Sequence, residues 1–195
     1  MEEKTAGRTS GMSRRKKILL ISYMAVLTAL SVGLIALLHF PIFPAVAFLE
    51  YDPGDIPILL SGYMLGMGPG LAITAVVCLI QAFLMGGNGV YGMLMHFIAT
   101  GMLVTVSSLI YSKMKTRKGA ALSLVSGAAA MTLIMIPANL IFTTMFMGVS
   151  ADMVWGLMPF ILAFNAIKAF GNSLVVFLIY KPLRHMLSRH DLTVR

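Results

Sequence analysis

Long apolar runs, separated by short polar or basic stretches, are the dominant pattern along this chain. Residues 18–38 contain no charge, and at about 1.5 Å per residue they are long enough to cross a hydrocarbon core of roughly 30 Å. Further apolar runs fall at 56–67, 71–85, 90–112, 120–146 and 159–180. The middle of the chain allows two readings, one kinked helix over 56–85 or two short ones parted at Gly66-Met67-Gly68-Pro69-Gly70. Charge parity separates them. The basic amino-terminal segment (Arg14-Arg15-Lys16-Lys17) and Lys113-Met114-Lys115-Thr116-Arg117-Lys118 both belong on the cytoplasmic side. An even number of crossings must lie between them, so the break is used. The pattern predicts an all-α integral membrane protein of six spans with both termini inside, in a single domain of residues 1–195. Residues 1–16 and 181–195 are expected to be cytoplasmic tails.

Composition agrees. The chain is 58% hydrophobic and 11% charged, with mean hydropathy +0.89, values that a water-soluble globule of this size does not tolerate. The net charge of +8 would suggest nucleic acid in a soluble domain. Here the basic residues sit at the ends of apolar runs, which is the pattern of membrane topology and excludes a nucleic-acid footprint. The basic start resembles a signal peptide, but its apolar run is long and lacks a small-residue cleavage site, so it reads as a retained span. The lone Cys78 allows no intrachain disulfide.

Against this background the last run stands out, because Lys168 lies near its middle. An ionisable group at that depth costs roughly 2.5–3.5 kcal/mol on insertion scales, which marks it as a functional candidate. Asn165, Lys168 and Asn172 are spaced i, i+3 and i+7, on one stripe of a helix. That stripe must meet protein, water or a ligand, because lipid offers no hydrogen-bond partner. A purely structural stripe that ties helices together is the alternative. Asn139, two residues beyond Pro137, lies in the preceding span, where the proline is expected to release the Leu133 carbonyl and kink the helix. The hairpin between these spans is placed at Ser150, Ala151 and Asp152, with Pro159 opening the sixth helix. Asn139 and Asn165 would then both lie roughly 15–20 Å below the outer end and converge on one pocket.

Residues 40–54 form the loop that could close such a pocket. Pro41, Pro44 and Pro53 forbid a regular helix, and Phe40, Phe43, Phe48, Leu49 and Tyr51 make it unusually apolar for an exposed connection. Asp55 is a candidate N-cap for the next helix, and Glu50, Asp52 and Asp55 count little for topology. A Gly86-Gly87-Asn88-Gly89 turn opens the fourth span on the same outer side.

Other chemistry lacks its signature. The Gly66–Gly70 break has no Lys-Ser/Thr after it, so it is no phosphate loop. His39, His96, His185 and His190 have no metal-ligand spacing, no paired carboxylates are placed inside the membrane, and no nucleophile–base arrangement is visible. The 17 methionines suit adaptable packing or a flat aromatic ligand. The chain is therefore expected to hold a solute without powering its movement. A membrane-embedded enzyme is disfavoured, while a membrane scaffold whose polar stripe is structural stays open.

Three stretches carry a resemblance: Phe48-Leu49-Glu50-Tyr51-Asp52-Pro53-Gly54-Asp55-Ile56-Pro57, Asn88-Gly89-Val90-Tyr91-Gly92 and Asn165-Ala166-Ile167-Lys168. With six spans over essentially the whole chain, they resemble the riboflavin-specific substrate-binding (S) components of energy-coupling factor transporters. The resemblance implies a non-enzymatic subunit of a prokaryotic plasma membrane that takes riboflavin from outside, as transported ligand and with no resident cofactor. It implies a membrane-embedded coupling subunit and two cytoplasmic ATPases as partners. It places ligand contacts on Asn139, Asn165 and Lys168, with Lys168 as hydrogen-bond donor and not as counter-ion. Phe48, Leu49 and Tyr51 would belong to the lid, and Ala25 and Ala29, four apart on the first span, to the coupling face. Sister S components bind other vitamins on similar folds, so the ligand follows from the resemblance alone.

Overall fold

The computed structural model describes residues 14–85 and 89–188, with side chains described up to Tyr180. Six helices follow one another: α1 (Arg14–Leu37), α2 (Asp55–Met64), α3 (Met67–Leu84), α4 (Gly89–Lys113), α5 (Arg117–Met147) and α6 (Ala151–Ser188). Between α1 and α2 a two-stranded antiparallel ribbon pairs β1 (Phe40–Pro41) with β2 (Glu50–Tyr51), Phe40 facing Tyr51 and Pro41 facing Glu50. The six apolar runs thus appear as six helices. The expected tails at 1–13 and 189–195, with His190, and the turn at 86–88 lie outside the described residues.

Five of the helices are long and apolar enough to cross a bilayer. The exception, α2, has 10 residues and reaches only about 15 Å, half a hydrocarbon core. Its sharp end has a local cause. Gly66 stands between α2 and α3 with φ 101°, a left-handed conformation that other residues resist. The chain therefore reverses at once, and α3 begins at Met67 with Gly68 and Pro69 already inside its first turn. Because α2 is short and returns beside α3, the upper half of its column is filled by the loop 38–54. This places Asp55, the first residue of α2, well inside the bundle and fully buried.

Four boundaries differ from expectation. The helix expected at 159 begins at Ala151, where the Met153 amide points to Ser150 Oγ (3.4 Å) and Asp152 lies in the first turn. Pro159 is therefore accommodated within α6, and the stretch after Tyr180, expected as a tail, continues the helix to Ser188. Asp55 is not an N-cap but the first helical residue, preceded by Gly54. At the other end, α1 starts at Arg14, so the basic Arg14-Arg15-Lys16-Lys17 segment is helical.

Alternation along the chain groups the ends. The carboxyl end of α1 meets the start of α2, where Ser31 Oγ bonds the Gly54 carbonyl. The basic start of α1, the Lys113–Lys118 connection and the Tyr180 region of α6 therefore lie together at the opposite end. There Tyr63, Tyr111 and Tyr180 pack ring on ring, the first two stacked at 4.4 Å. Large apolar side chains such as Ile21, Leu133, Leu174 and Leu178 point outward, as a lipid-facing surface requires.

Candidate ligand-binding site

At the end away from the basic residues the bundle holds an open cavity; the space in it and its mouth, open solvent included, is about 820 Å³. The lining combines apolar side chains, among them Phe48 and Leu49 from the loop, Met95 from α4, Met131 and Met135 from α5 and Phe164 from α6. It also carries the polar groups of Asp52, Gln81, His96, Thr100, Thr143, Asn165 and Lys168.

Lys168 organises the polar groups. Its residue is 7% exposed, and its ammonium donates to Asp52 Oδ2 at 2.8 Å and lies 3.7 Å from Asp55 Oδ2. The second distance is too long for a hydrogen bond, and Asp55 Oδ2 has no other partner among the described residues. Asp55 Oδ1 is better served, accepting from Thr100 Oγ1 at 2.7 Å and meeting His96 Nε2 at 3.1 Å. The other ring nitrogen of His96, Nδ1, lies 2.5 Å from Gln81 Oε1. Two carboxylates thus flank one lysine, and a histidine bridges the network to α3. Burying such charges is tolerable only because each faces an opposite charge or a hydrogen-bond partner.

The loop is tied to α6 by the same residues. Asn172 Nδ2 donates to the Asp52 carbonyl (3.3 Å), and Tyr51 Oη donates to Asn172 Oδ1 (2.9 Å). Asp52 Oδ1 also accepts from the Gly54 amide at 3.0 Å, which closes the turn into α2. The Tyr51 hydroxyl is held above its usual pKa, mainly because burial disfavours the phenolate.

The sequence candidates therefore divide. Asn165 and Lys168 line the cavity with Phe48 and Leu49. Asn165 gives one amide hydrogen to the Ile161 carbonyl at 2.8 Å. Asn139 does not reach the lining, contrary to the expected convergence. It is fully buried behind it, donating to the Met135 carbonyl (2.8 Å) and accepting from Thr143 Oγ1 (2.9 Å). Met135 and Thr143 are the side chains that face the cavity in its place. Tyr51 is not in the lining either; it serves the loop attachment. Ala25 and Ala29 are exposed on the outside of α1.

The largest correction concerns charge. Contrary to the expected absence of carboxylates inside the membrane, Asp52 and Asp55 sit inside the bundle, where Asp52 pairs with Lys168. A signal for this exists in the sequence. A lysine in an apolar run needs an opposite charge, and away from the chain ends only Glu50, Asp52, Asp55 and Asp152 can supply one. Gln81, Thr100 and Thr143 gave no comparable signal, being single polar residues within apolar spans.

Comparison with known proteins fits this architecture. Residues 20–180 match the family described as ECF transporter, substrate-specific component. The chain is 27% identical over 177 residues to the riboflavin transporter RibU of Streptococcus thermophilus, covering 86% of this chain and 83% of that one. It is 28% identical over 184 residues to the riboflavin transporter FmnP of Bacillus subtilis, covering 87% and 92%. Among solved structures, the S component of a bacterial ECF transporter superposes with a TM-score of 0.76 at 24% identity, covering 88% of this chain and 98% of that one. An S component for biotin superposes at 0.63 with 16% identity, covering 88% and 95%. These two structures speak to the fold alone. With the family match spanning six helices and a cavity, the chain belongs to the substrate-specific components of ECF transporters.

Proposed function

We propose that this chain captures riboflavin and presents it to an ATP-driven coupling module. The observation that carries the reading is a cavity whose lining joins methionine and aromatic side chains to amide, hydroxyl and charged groups. A flat, uncharged ring system with donors and acceptors along one edge and a polyol side chain suits that mixture. Two curated relatives named as riboflavin transporters support the same ligand. In this reading Asn165 and Lys168 meet the polar edge, Asp52 offers an acceptor beside them, and Phe48 and Leu49 cover the ring. Asn139 acts through Thr143 by holding its hydroxyl at the lining. By the positive-inside rule the basic end is cytoplasmic, so the cavity opens outward. Ala25 and Ala29, exposed on α1, let a helix of a coupling subunit approach closely, with two cytoplasmic ATPases beyond it.

Purified protein should be yellow if ligand is retained, and calorimetric titration in detergent should show tight, one-to-one riboflavin binding. Absence of heat with riboflavin, together with clear heat from another vitamin, would replace the ligand and leave the capture role intact. No binding to any vitamin would remove both.

A further inference from the structure

The stripe on α6 holds one polar residue that the ligand reading does not use. Asn172 lies one turn beyond Lys168 and is fully buried, yet it does not line the cavity. Both ends of its amide are engaged with the loop. Nδ2 donates to the Asp52 carbonyl at 3.3 Å, and Oδ1 accepts from Tyr51 Oη at 2.9 Å. The Asp52 carbonyl fixes the amide in one orientation, because a flipped amide would set its oxygen against that carbonyl, and the Tyr51 hydroxyl then donates to Oδ1.

We infer that Asn172 is a positioning residue that clamps the loop to α6 and so governs the rate at which bound ligand leaves; this rests on the riboflavin reading above. The clamped residues are contiguous with those over the cavity. Phe48, Leu49 and Glu50 line it, Tyr51 and Asp52 are held by Asn172, and Asp52 is also the partner of Lys168. Beyond them, Gly54 is bonded to α1 through Ser31 and to Asp52 through its own amide. Before them, Phe40 pairs with Tyr51 in the ribbon, with ring centroids 5.5 Å apart. The loop is therefore fixed at both flanks of its covering segment; on the α6 side its polar attachment is made by Asn172 and Lys168, beside the apolar packing of Val46 with Val154, Met158 and Ile161 and of Phe43 on Phe160. Lys168 faces the cavity as well as the loop. Both side-chain hydrogen bonds of Asn172 go to the loop and it does not line the cavity, so it can alter loop opening without removing a ligand contact.

The test compares Asn172→Ala, Tyr51→Phe and the double variant by stopped-flow riboflavin fluorescence, alongside amide hydrogen exchange of residues 49–54 in ligand-free protein. Asn172→Ala leaves a buried carbonyl and a hydroxyl without partners, so riboflavin release should quicken roughly tenfold. Tyr51→Phe keeps the ring and loses one bond, so release should quicken roughly threefold. Association should change little in either. Because both act through one contact, the double variant should release ligand no faster than Asn172→Ala. Exchange over 49–54 should accelerate in both single variants. Should Asn172→Ala fail to fold, Tyr51→Phe alone still carries the test through its release rate and exchange. Unchanged release with only a lower melting temperature would overturn the clamp, as would fully additive effects. If the unaltered protein binds no riboflavin but exchange over 49–54 still quickens in the variants, the clamp stands and the ligand reading falls. Unchanged exchange overturns the clamp whatever the ligand.

Discussion

At the cavity end of the bundle, Asp52, Asp55, Lys168 and His96 hold loop and helices together through charge; at the basic end, hydroxyls, rings and close backbone contact do that work. There Tyr63 Oη bonds both the Ala120 carbonyl and Ser123 Oγ, and Ser107 Oγ donates to the Ser123 carbonyl at 3.2 Å. Gly127 sits so close to α4 that an added Cβ would lie 2.9 Å from the Leu103 carbonyl oxygen. The aromatic and small-residue end brings α2, α4 and α5 together by complementary shape, and the groove left there between α5 and α6, lined by Leu124, Leu174 and Phe177 among others, is almost wholly apolar. The charged end cannot pack that way, since its side chains need separation, orientation and partners, and the space among them is the cavity. Binding is thus located where packing gives way to polar geometry. The two ends should also respond differently to substitution. Removing one member of the charged network leaves another charge uncompensated, whereas removing one hydroxyl at the other end leaves the rings in place.

The largest effect is expected from Lys168→Ala. It strips Asp52 of its cation and takes from Asp55 the charge facing its Oδ2, a loss of about 3–5 kcal/mol for a broken buried pair. Riboflavin titration should show affinity lowered at least about a hundredfold, and the melting temperature should fall. Adding Asp52→Asn to Lys168→Ala removes the orphaned charge and should restore part of the melting temperature without restoring affinity. Parallel recovery of both would mean that the lysine serves the fold alone, and the contrast between the two ends would lose its functional meaning.

A smaller and opposite response is expected from Gly127→Val. The added side chain meets Leu103 and Ser107 on α4, and overpacking of this kind costs about 1–3 kcal/mol. Melting temperature should drop while riboflavin affinity stays within about twofold, because the substitution shares no partner with the cavity. A large loss of affinity would show that the two ends are mechanically one.

The six helices were legible because a membrane imposes long apolar runs, and Lys168 was legible because its placement in such a run is costly. Asn165 followed from its spacing on the same helix face. Asn139 misled for a physical reason: depth and helix face can be read from sequence, and Met135 and Thr143 on the same face do line the cavity, but the short Asn139 side chain is engaged by the Met135 carbonyl and the Thr143 hydroxyl, a local choice no spacing reveals. Asp55 misled because an aspartate two residues before a proline, which a first helical turn admits, reads as a cap. Only the abrupt turn at Gly66 makes α2 short enough to carry that carboxylate down beside Lys168. The early start of α6 was hidden by Pro159, a residue that suits a first turn equally well. Asn172 was visible on the stripe, yet its partners are 120 and 121 positions away in the loop, beyond any local pattern.

The smallest effect, and the finest test of the contrast, comes from Tyr63→Phe. The ring stays, so its stacking on Tyr111 at 4.4 Å and its contact with Tyr180 at 6.0 Å are kept. Only the hydroxyl is lost, and with it the contacts to Ser123 and the Ala120 carbonyl. Ser123 retains its own bond to that carbonyl at 2.8 Å, so no buried donor is orphaned. The expected cost is about 0.5–1.5 kcal/mol, at the modest end for a buried hydrogen bond. Chemical denaturation should detect it, and riboflavin release should be unchanged. A cost as large as that of Lys168→Ala would show that the basic end depends on its polar contacts as much as the cavity end does, and that shape complementarity is not what holds it.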